Sequence, residues 1–399
     1  MPKANTESPS AGVTQATSTP GAPCKTSFIS LALNGRPLIM IKHLPSPPRQ
    51  TGMTLIELMI AMILGLIIVA GVLYVFQGSS KTFRTSDALA RVQENGRFGL
   101  EAIASDIRMA SYSGCGAIQN ITPQSVVTEL GTLDLFDDSN VLRGYTYTVG
   151  APIVGAIVGT QGVVGSDVFI ARHLSESVVE FNGDMALKTD PIVLKKTPNT
   201  PKFVDGQIVA VADCTKMDIF RVTNVVETTT TVTLSHAVGS AGVGNTSPEF
   251  QGRYGATLGS KAVRLIEQAY YVKNTGRLNK TGQPVFALFR QATSTGLATG
   301  NEDEIAEGVE DLRISYGLDT IGLGQVDRYV SAGAMTTAQW PMVRSMRLEL
   351  LVASIENGAL DAPQTYTFNG ANVVPAATDR KLRTSIGTTI SLRNRDHVE

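Results

Sequence analysis

The sequence predicts an α+β protein: a long N-terminal helix, membrane-spanning in its first part, packed on a mainly antiparallel β-sheet head. Three observations predict it. Residues 53–76 form a 24-residue run, mostly Met, Leu, Ile, Val, Ala and Gly, with one charged side chain, Glu57. The helical apolar period then continues to about Ala110 with no proline. Beyond Ala110 the chain is rich in Thr, Val and Gly, with short β-favouring runs separated by Gly, Asn, Pro and Asp clusters.

Residues 1–39 are dominated by Ser, Thr, Pro, Ala and Gly and predict no packed structure. Met40 offers an alternative start, which would make residues 40–52 a short basic leader. Lys42 and Arg49 lie close ahead of the apolar run, with Lys25 and Arg36 further back. That charge bias places the N-terminus in the cytoplasm and the bulk of the chain outside the inner membrane. A secretory signal carries its cleavage site after the apolar stretch, whereas here the small residue Gly52 stands before it. Residues 1–52 are therefore the expected leader, and the apolar segment survives its removal.

Residues 53–76 are long enough to cross a bilayer, which takes about 20 apolar residues. A carboxylate costs roughly 3 kcal/mol or more at such a position, so Glu57 predicts a partner charge or a function. The alternative is an ordinary signal anchor whose carboxylate snorkels to the interface. Over residues 77–111 polarity rises, and Leu89, Val92, Gly96, Leu100, Ile103 and Ile107 fall on one stripe that a sheet must cover. One helix from Met53 to Ala110 would be roughly 80 to 90 Å long at about 1.5 Å per residue. A break at Gly78-Ser79-Ser80 or at Gly96 would instead leave a separate soluble helix with the same apolar face. Ser113-Gly114-Cys115-Gly116 is expected to end the helix, a glycine there supplying positive φ.

Residues 112–399 form the head. Strands are expected at Asp167–Ala171, Gln207–Ala212, Met217–Val226, Thr229–Ser235, Val263–Val272, Val285–Arg290, Val309–Tyr316 and Val343–Val352. Residues 149–165 hold five glycines in an apolar setting. Pro152, Thr160 and Gln161 and the short length favour a strand pair over a second membrane helix. Residues 240–260 and 317–340 resemble loops.

The string Gly52-Met53-Thr54-Leu55-Ile56-Glu57 resembles the prepilin motif of type IV pilins and of the pseudopilins of type II secretion. The resemblance implies a pilin-like fold and cleavage between Gly52 and Met53 by prepilin peptidase, a membrane-embedded aspartyl peptidase that also N-methylates Met53. Most of the family begin with Phe where this chain has Met53. Glu57 becomes the family's fifth-residue carboxylate, which pairs with the terminal amine of a neighbouring subunit. Breaking a buried pair of that kind costs several kcal/mol, so it would select helix register during assembly. Residues 305–312 with Ile314 and Tyr316-Gly317, and residues 343–352, resemble the strands of PilW-type minor pilins, relatives of the GspJ-type pseudopilins. Implied partners are other minor pilins, the major pilin and a large tip adhesin, with the protein first in the inner membrane and then in the pilus.

Of three cysteines, Cys24 lies in the expected leader, leaving Cys115 and Cys214. An even count in an exported domain suggests a disulfide. It would close a loop of roughly 100 residues, worth about 4.7 kcal/mol in the chain-entropy treatment; two unpaired buried cysteines are the alternative. Residues 1–52 hold five Lys/Arg and one Glu of the chain's 34 basic and 35 acidic residues, so 29 basic and 34 acidic residues remain, a formal charge of −5. Nothing in that balance favours a nucleic-acid partner.

No cofactor, metal site or catalytic constellation is expected. His43, His173, His236 and His397 are scattered, and His173 and His236 are placed to cap or flank strands. Asp137-Asp138 and Glu302-Asp303-Glu304 lie in loop-like sequence as solvated charge. A calcium site near Asp319 or Asp303 stays open, although the EF-hand spacing is absent. The leading expectation is a minor pilin that helps prime type IV pili, at the tip because its head is large. A type II secretion pseudopilin and a tip-located adhesive module are the alternatives.

Overall fold

The computed structural model describes residues 52–112, 122–127, 141–150, 157–213, 215–239, 244–294 and 297–395. The chain forms two compact units, Met1–Leu66 and Ile67–Glu399. The helix α1 (Leu55–Met109) has no break at Gly78-Ser79-Ser80 or at Gly96. In the second unit its residues 67–76 are exposed and largely apolar, whereas Val92, Gly96, Gly99, Leu100, Ile103, Ala104 and Ile107 are buried. The expected stripe fails at one place. Leu89 is 38% exposed, and Ala88 packs against the core instead. Counting back one turn from Val92 leads to Ala88, so the helical period itself selects the alanine.

The helix ends before the expected glycine cap, whose residues 113–116 lie outside the described ones. Ser111 takes the left-handed conformation at φ 67°, which is costly for a residue with a Cβ. Two bonds hold it there: its N–H donates to Arg172 O at 3.2 Å, and Arg395 Nε donates to its Oγ at 2.9 Å. Asn394 Nδ2 donates at 3.2 Å to the carbonyls of Arg108 and Ala110, satisfying acceptors that a helix end leaves open.

Two main sheets enclose the buried stripe. The larger, eight-stranded sheet runs β1 (Thr122–Ser125), β6 (Lys216–Arg221), β5 (Ile208–Ala212), β9 (Lys261–Leu278), β10 (Pro284–Ser294) and β11 (Leu297–Glu307). Off that path β3 (Asp167–Glu180) pairs with β9, and β2 (Leu142–Thr146) pairs with β3. The second sheet runs β13 (Arg328–Ser331), β12 (Val309–Leu318), β14 (Val343–Ala353) and β17 (Arg383–Ser391), with β15 (Tyr366–Phe368) and β16 (Ala371–Val373) forming a separate hairpin. All these pairings are antiparallel except β1 with β6. The α+β expectation therefore holds.

On β12 and β14 the period of two is plain: Leu312, Ile314, Tyr316 and Leu318 face Met346, Leu348, Leu350 and Val352 in one core with the helix residues. The chain passes from one sheet to the other at Gly308, between β11 and β12. There φ is 82° and a Cβ would strike Ala353 O, so only glycine fits.

Several expectations are corrected. Glu302-Asp303-Glu304 is not a solvated loop but lies on β11, where Lys273 pairs with Glu302, Arg290 with Asp303 at 3.0 Å, and Arg277 with Glu304 at 2.6 Å. Asp137-Asp138, His43 and His397 lie outside the described residues. Among the described part of 149–165, Ile157 and Val158 form a helical turn packed on Tyr147, whose hydroxyl donates to Gly159 O at 2.7 Å, instead of a strand pair. The 317–340 stretch contains β13 and two short 3-10 turns, Ala332–Ala334 and Thr337–Met342; the second buries Trp340. His173 lies within β3 and not at its end, whereas His236 follows β8 (Thr231–Ser235).

The run expected at Met217–Val226 divides. Val222 N–H bonds to Gln207 O and Thr223 N–H to Ser235 O, so the chain leaves β6 for a small sheet of β4 (Ile192–Lys195), β8 and β7 (Asn224–Glu227). This lobe has its own core, with Phe181, Phe203, Phe220, Phe250 and Tyr254. The buried carboxylate of Asp218 fastens the 250–254 segment to β6, accepting the Tyr254 hydroxyl at 2.7 Å and Gln251 N–H at 3.1 Å.

Burial raises the Asp218 carboxyl from 3.8 to about 6, outweighing the bonds from Tyr254 and Gln251 that lower it. Between those two values the native state holds more proton than the unfolded state. The stabilising contribution of Asp218 is thus full below pH 3.8 and lost as pH rises through about 6. Asp218→Asn should remove that slope. In thermal unfolding of the detergent-purified chain from about pH 4 to about pH 7, the variant is expected to gain on the wild type as pH rises. A constant difference would show that the carboxyl does not titrate in this window.

Candidate processing and assembly site

Residues 52–54 carry no regular secondary structure and α1 starts at Leu55. The start is set locally. Thr54 is the N-cap: its carbonyl accepts the N–H groups of Glu57 at 3.1 Å and Leu58 at 3.2 Å, and its Oγ1 accepts Glu57 N–H at 3.4 Å. Thr54 and Glu57 have the spacing of a capping box, and the carboxylate sits in the first turn, where the helix dipole favours negative charge.

Around this polar start everything is apolar and uncovered. Met53 is 66% and Leu55 76% exposed, and a Cβ on Gly52 would meet nothing within 4 Å. The Gly52-Met53 peptide is therefore open to a peptidase. Among residues 52–80 Glu57 is the one charged side chain, and among the described residues none pairs with its carboxylate. A carboxylate of that kind, in the capped first turn of an apolar helix, is suited to a charge on another chain.

The head holds the outer part of α1. Asn95 Nδ2 donates to Glu307 O at 2.9 Å, Thr85 Oγ1 to Ala359 O at 2.8 Å, and Asp106 accepts the Tyr270 hydroxyl at 2.8 Å. The two cysteines expected to pair, Cys115 and Cys214, both lie outside the described residues.

Other titratable groups are engaged in structure. His236 stacks on Phe250 at 4.1 Å with Nε2 2.9 Å from Asp190 O, and burial lowers its basicity. His173 is buried, with Nδ1 3.0 Å from Leu174 O. Among the described residues no group of three or more His, Cys, Asp or Glu is placed to hold a metal ion. A cleft of about 690 Å³ beside α1 is lined by Arg84, Lys280, Glu356 and the Arg91–Asp87 ion pair, with no histidine or cysteine.

Two comparisons with known families match this architecture. The family model described as type IV pilus-assembly protein W matches residues 269–394, and that of the prokaryotic N-terminal methylation motif matches residues 47–73. Comparison with curated proteins and with solved structures gives no match. The helix start, the methylation motif and the β-sheet head define a type IV pilin-like protein. Within that class, the chain is similar over residues 269–394 to the PilW family of minor pilins. The motif implies processing by prepilin peptidase, membrane anchoring and assembly with other pilins.

Proposed function

We propose that this minor pilin helps prime type IV pilus assembly at the pilus tip, in contact with other minor pilins, the major pilin and a large tip adhesin. Residues 53–76 span the inner membrane with the leader in the cytoplasm and the head in the periplasm. Prepilin peptidase cuts between Gly52 and Met53 and methylates Met53. Glu57 then pairs with the terminal ammonium of a neighbouring subunit, and the chain performs no catalysis of its own.

The observation that carries this reading is Glu57, whose carboxylate has no partner among the described residues, in the capped first turn of an uncovered apolar helix. In lipid no hydrophobic force draws such helices together, so packing and the charge pair must supply the association. The large head supports a tip position, because a head of this size would crowd a filament shaft.

Intact-mass and N-terminal peptide analysis of membrane-extracted protein, from cells with and without prepilin peptidase, tests the pathway. The expected product begins at N-methylated Met53 and forms only with the peptidase. The same uncut N-terminus in both strains would remove the assembly reading.

A further inference from the structure

Asp319, open as a calcium ligand from sequence, has its carboxylate filled by the backbone of its own loop. Oδ1 accepts Gly322 N–H at 2.8 Å and Leu323 N–H at 3.1 Å, and Oδ2 accepts Gly324 N–H at 2.9 Å. Asp319 is 4% exposed, with Arg344 Nε 3.9 Å from Oδ2. The far end of the loop is latched as well. Asp327 Oδ2 accepts the N–H and hydroxyl of Thr320 at 2.6 and 2.8 Å, and Asp327 N–H returns to Leu318 O at 2.8 Å. Gly322 and Gly324, at φ 74° and 73°, supply the left-handed turns that let three successive N–H groups converge.

This bonding serves to hold up two aliphatic side chains. Ile321 is 64% and Leu323 73% exposed, on either side of Gly322. An ordinary surface loop could fold such side chains back onto the core, but this one is fixed on both sides of them. Beside the loop, Val326 and Tyr329 both approach Gly317. The Tyr329 ring lies 4.3 Å under the Arg347 guanidinium, and its hydroxyl is 3.1 Å from Ser345 Oγ. Arg328 and Arg347 have no acidic partner among the described residues, and β13 is the outer strand of its sheet.

We propose that residues 319–327, with Tyr329, Arg328 and Arg347, dock the head of a different pilus subunit, one that offers an apolar pocket edged by carboxylates. The proposal rests on the pilin reading above and adds to it the contact surface and its complement. Prefixed geometry lowers the ordering cost of binding. Exposed Tyr and Arg next to an aliphatic anchor are the composition of energetic hot spots, and the unpaired guanidinium groups call for carboxylates across the contact. A bilayer would need neither the fixed shape nor the stacked arginine.

The test uses the full chain in piliated cells, with the photo-crosslinking residue p-benzoylphenylalanine at the exposed loop position 325. An adduct to another prepilin-peptidase-processed subunit, identified by mass spectrometry, is expected. The double substitution Ile321→Asp and Leu323→Asp should abolish that contact and reduce surface pili about tenfold or more, with normal protein level and cleavage. Ile321→Val with Leu323→Ile should retain both. Crosslinking to lipid alone, or normal piliation by the double aspartate variant, overturns the proposal. Failure of the pilin reading has its own signature, an uncut precursor in wild-type cells, which no tip substitution produces.

Discussion

Glu57→Leu is expected to leave cleavage after Gly52 intact and to reduce incorporation into pili by about a hundredfold or more. The helix start does not depend on the carboxylate, because the bonds to Thr54 are made by the backbone N–H groups of Glu57 and Leu58. Leucine also removes the cost of a charge in lipid, so membrane insertion should improve. What is lost, on the proposed pairing, is the partner of a neighbouring subunit's ammonium. Breaking one side of a buried pair costs about 3 to 5 kcal/mol, and each 1.4 kcal/mol is about tenfold in an equilibrium. Glu57→Gln retains a hydrogen-bond acceptor without the charge and should fall between the two. The measurement is an immunoblot of cleaved and uncleaved protein alongside the sheared pilus fraction. Wild-type incorporation of the leucine variant would show that Glu57 pairs with nothing in the filament.

The methylation motif was legible because it is local: Gly52, Thr54 and Glu57 lie within six residues of sequence, and one apolar run supplies their setting. The helix and the strands β12 and β14 were legible for a similar reason, since a period of 3.6 or 2 survives in any window of ten residues. β17 was missed because its inward positions are held by Ile386 and Ile390 among Thr, Ser and Gly, too few apolar residues to mark an alternation. β11 was mistaken for a loop because the cations that neutralise Glu302, Asp303 and Glu304 lie on β9 and β10, and cross-strand register is not visible in a linear pattern. Ser111 escaped notice because it is held left-handed by Arg395, 284 residues away in sequence. The tip of the 319–327 loop was hidden in the same way: the sequence left a calcium site open near Asp319, and only the convergence of three N–H groups shows what occupies the carboxylate.

Gly99→Leu is expected to have the largest effect on the folded head, about 3 kcal/mol or more of lost stability. Gly99 lies where α1 is held between both sheets. A Cβ there would sit 3.2 Å from Leu288 Cδ2 on β10, 3.3 Å from Ala306 Cβ on β11 and 3.3 Å from Leu350 Cδ1 on β14. Those contacts come from three strands and two sheets, so no single side-chain rotation makes room. Alanine needs a shift of only a few tenths of an ångström, and it gains about 1 kcal/mol of helix propensity over glycine, so Gly99→Ala should stay near the wild type. Leucine adds three further carbons with no space to enter. Gly96 offers the contrast. Its added Cβ would run mainly into the end of the flexible Ile386 side chain, which can turn away, and Gly96→Ala should cost less than a crowded backbone would. Thermal unfolding of the detergent-purified chain separates the cases. If Gly99→Leu melts at the wild-type midpoint, the helix is not clamped at that position, and the close packing that lets the head hold α1 must reside elsewhere along the stripe from Val92 to Ile107.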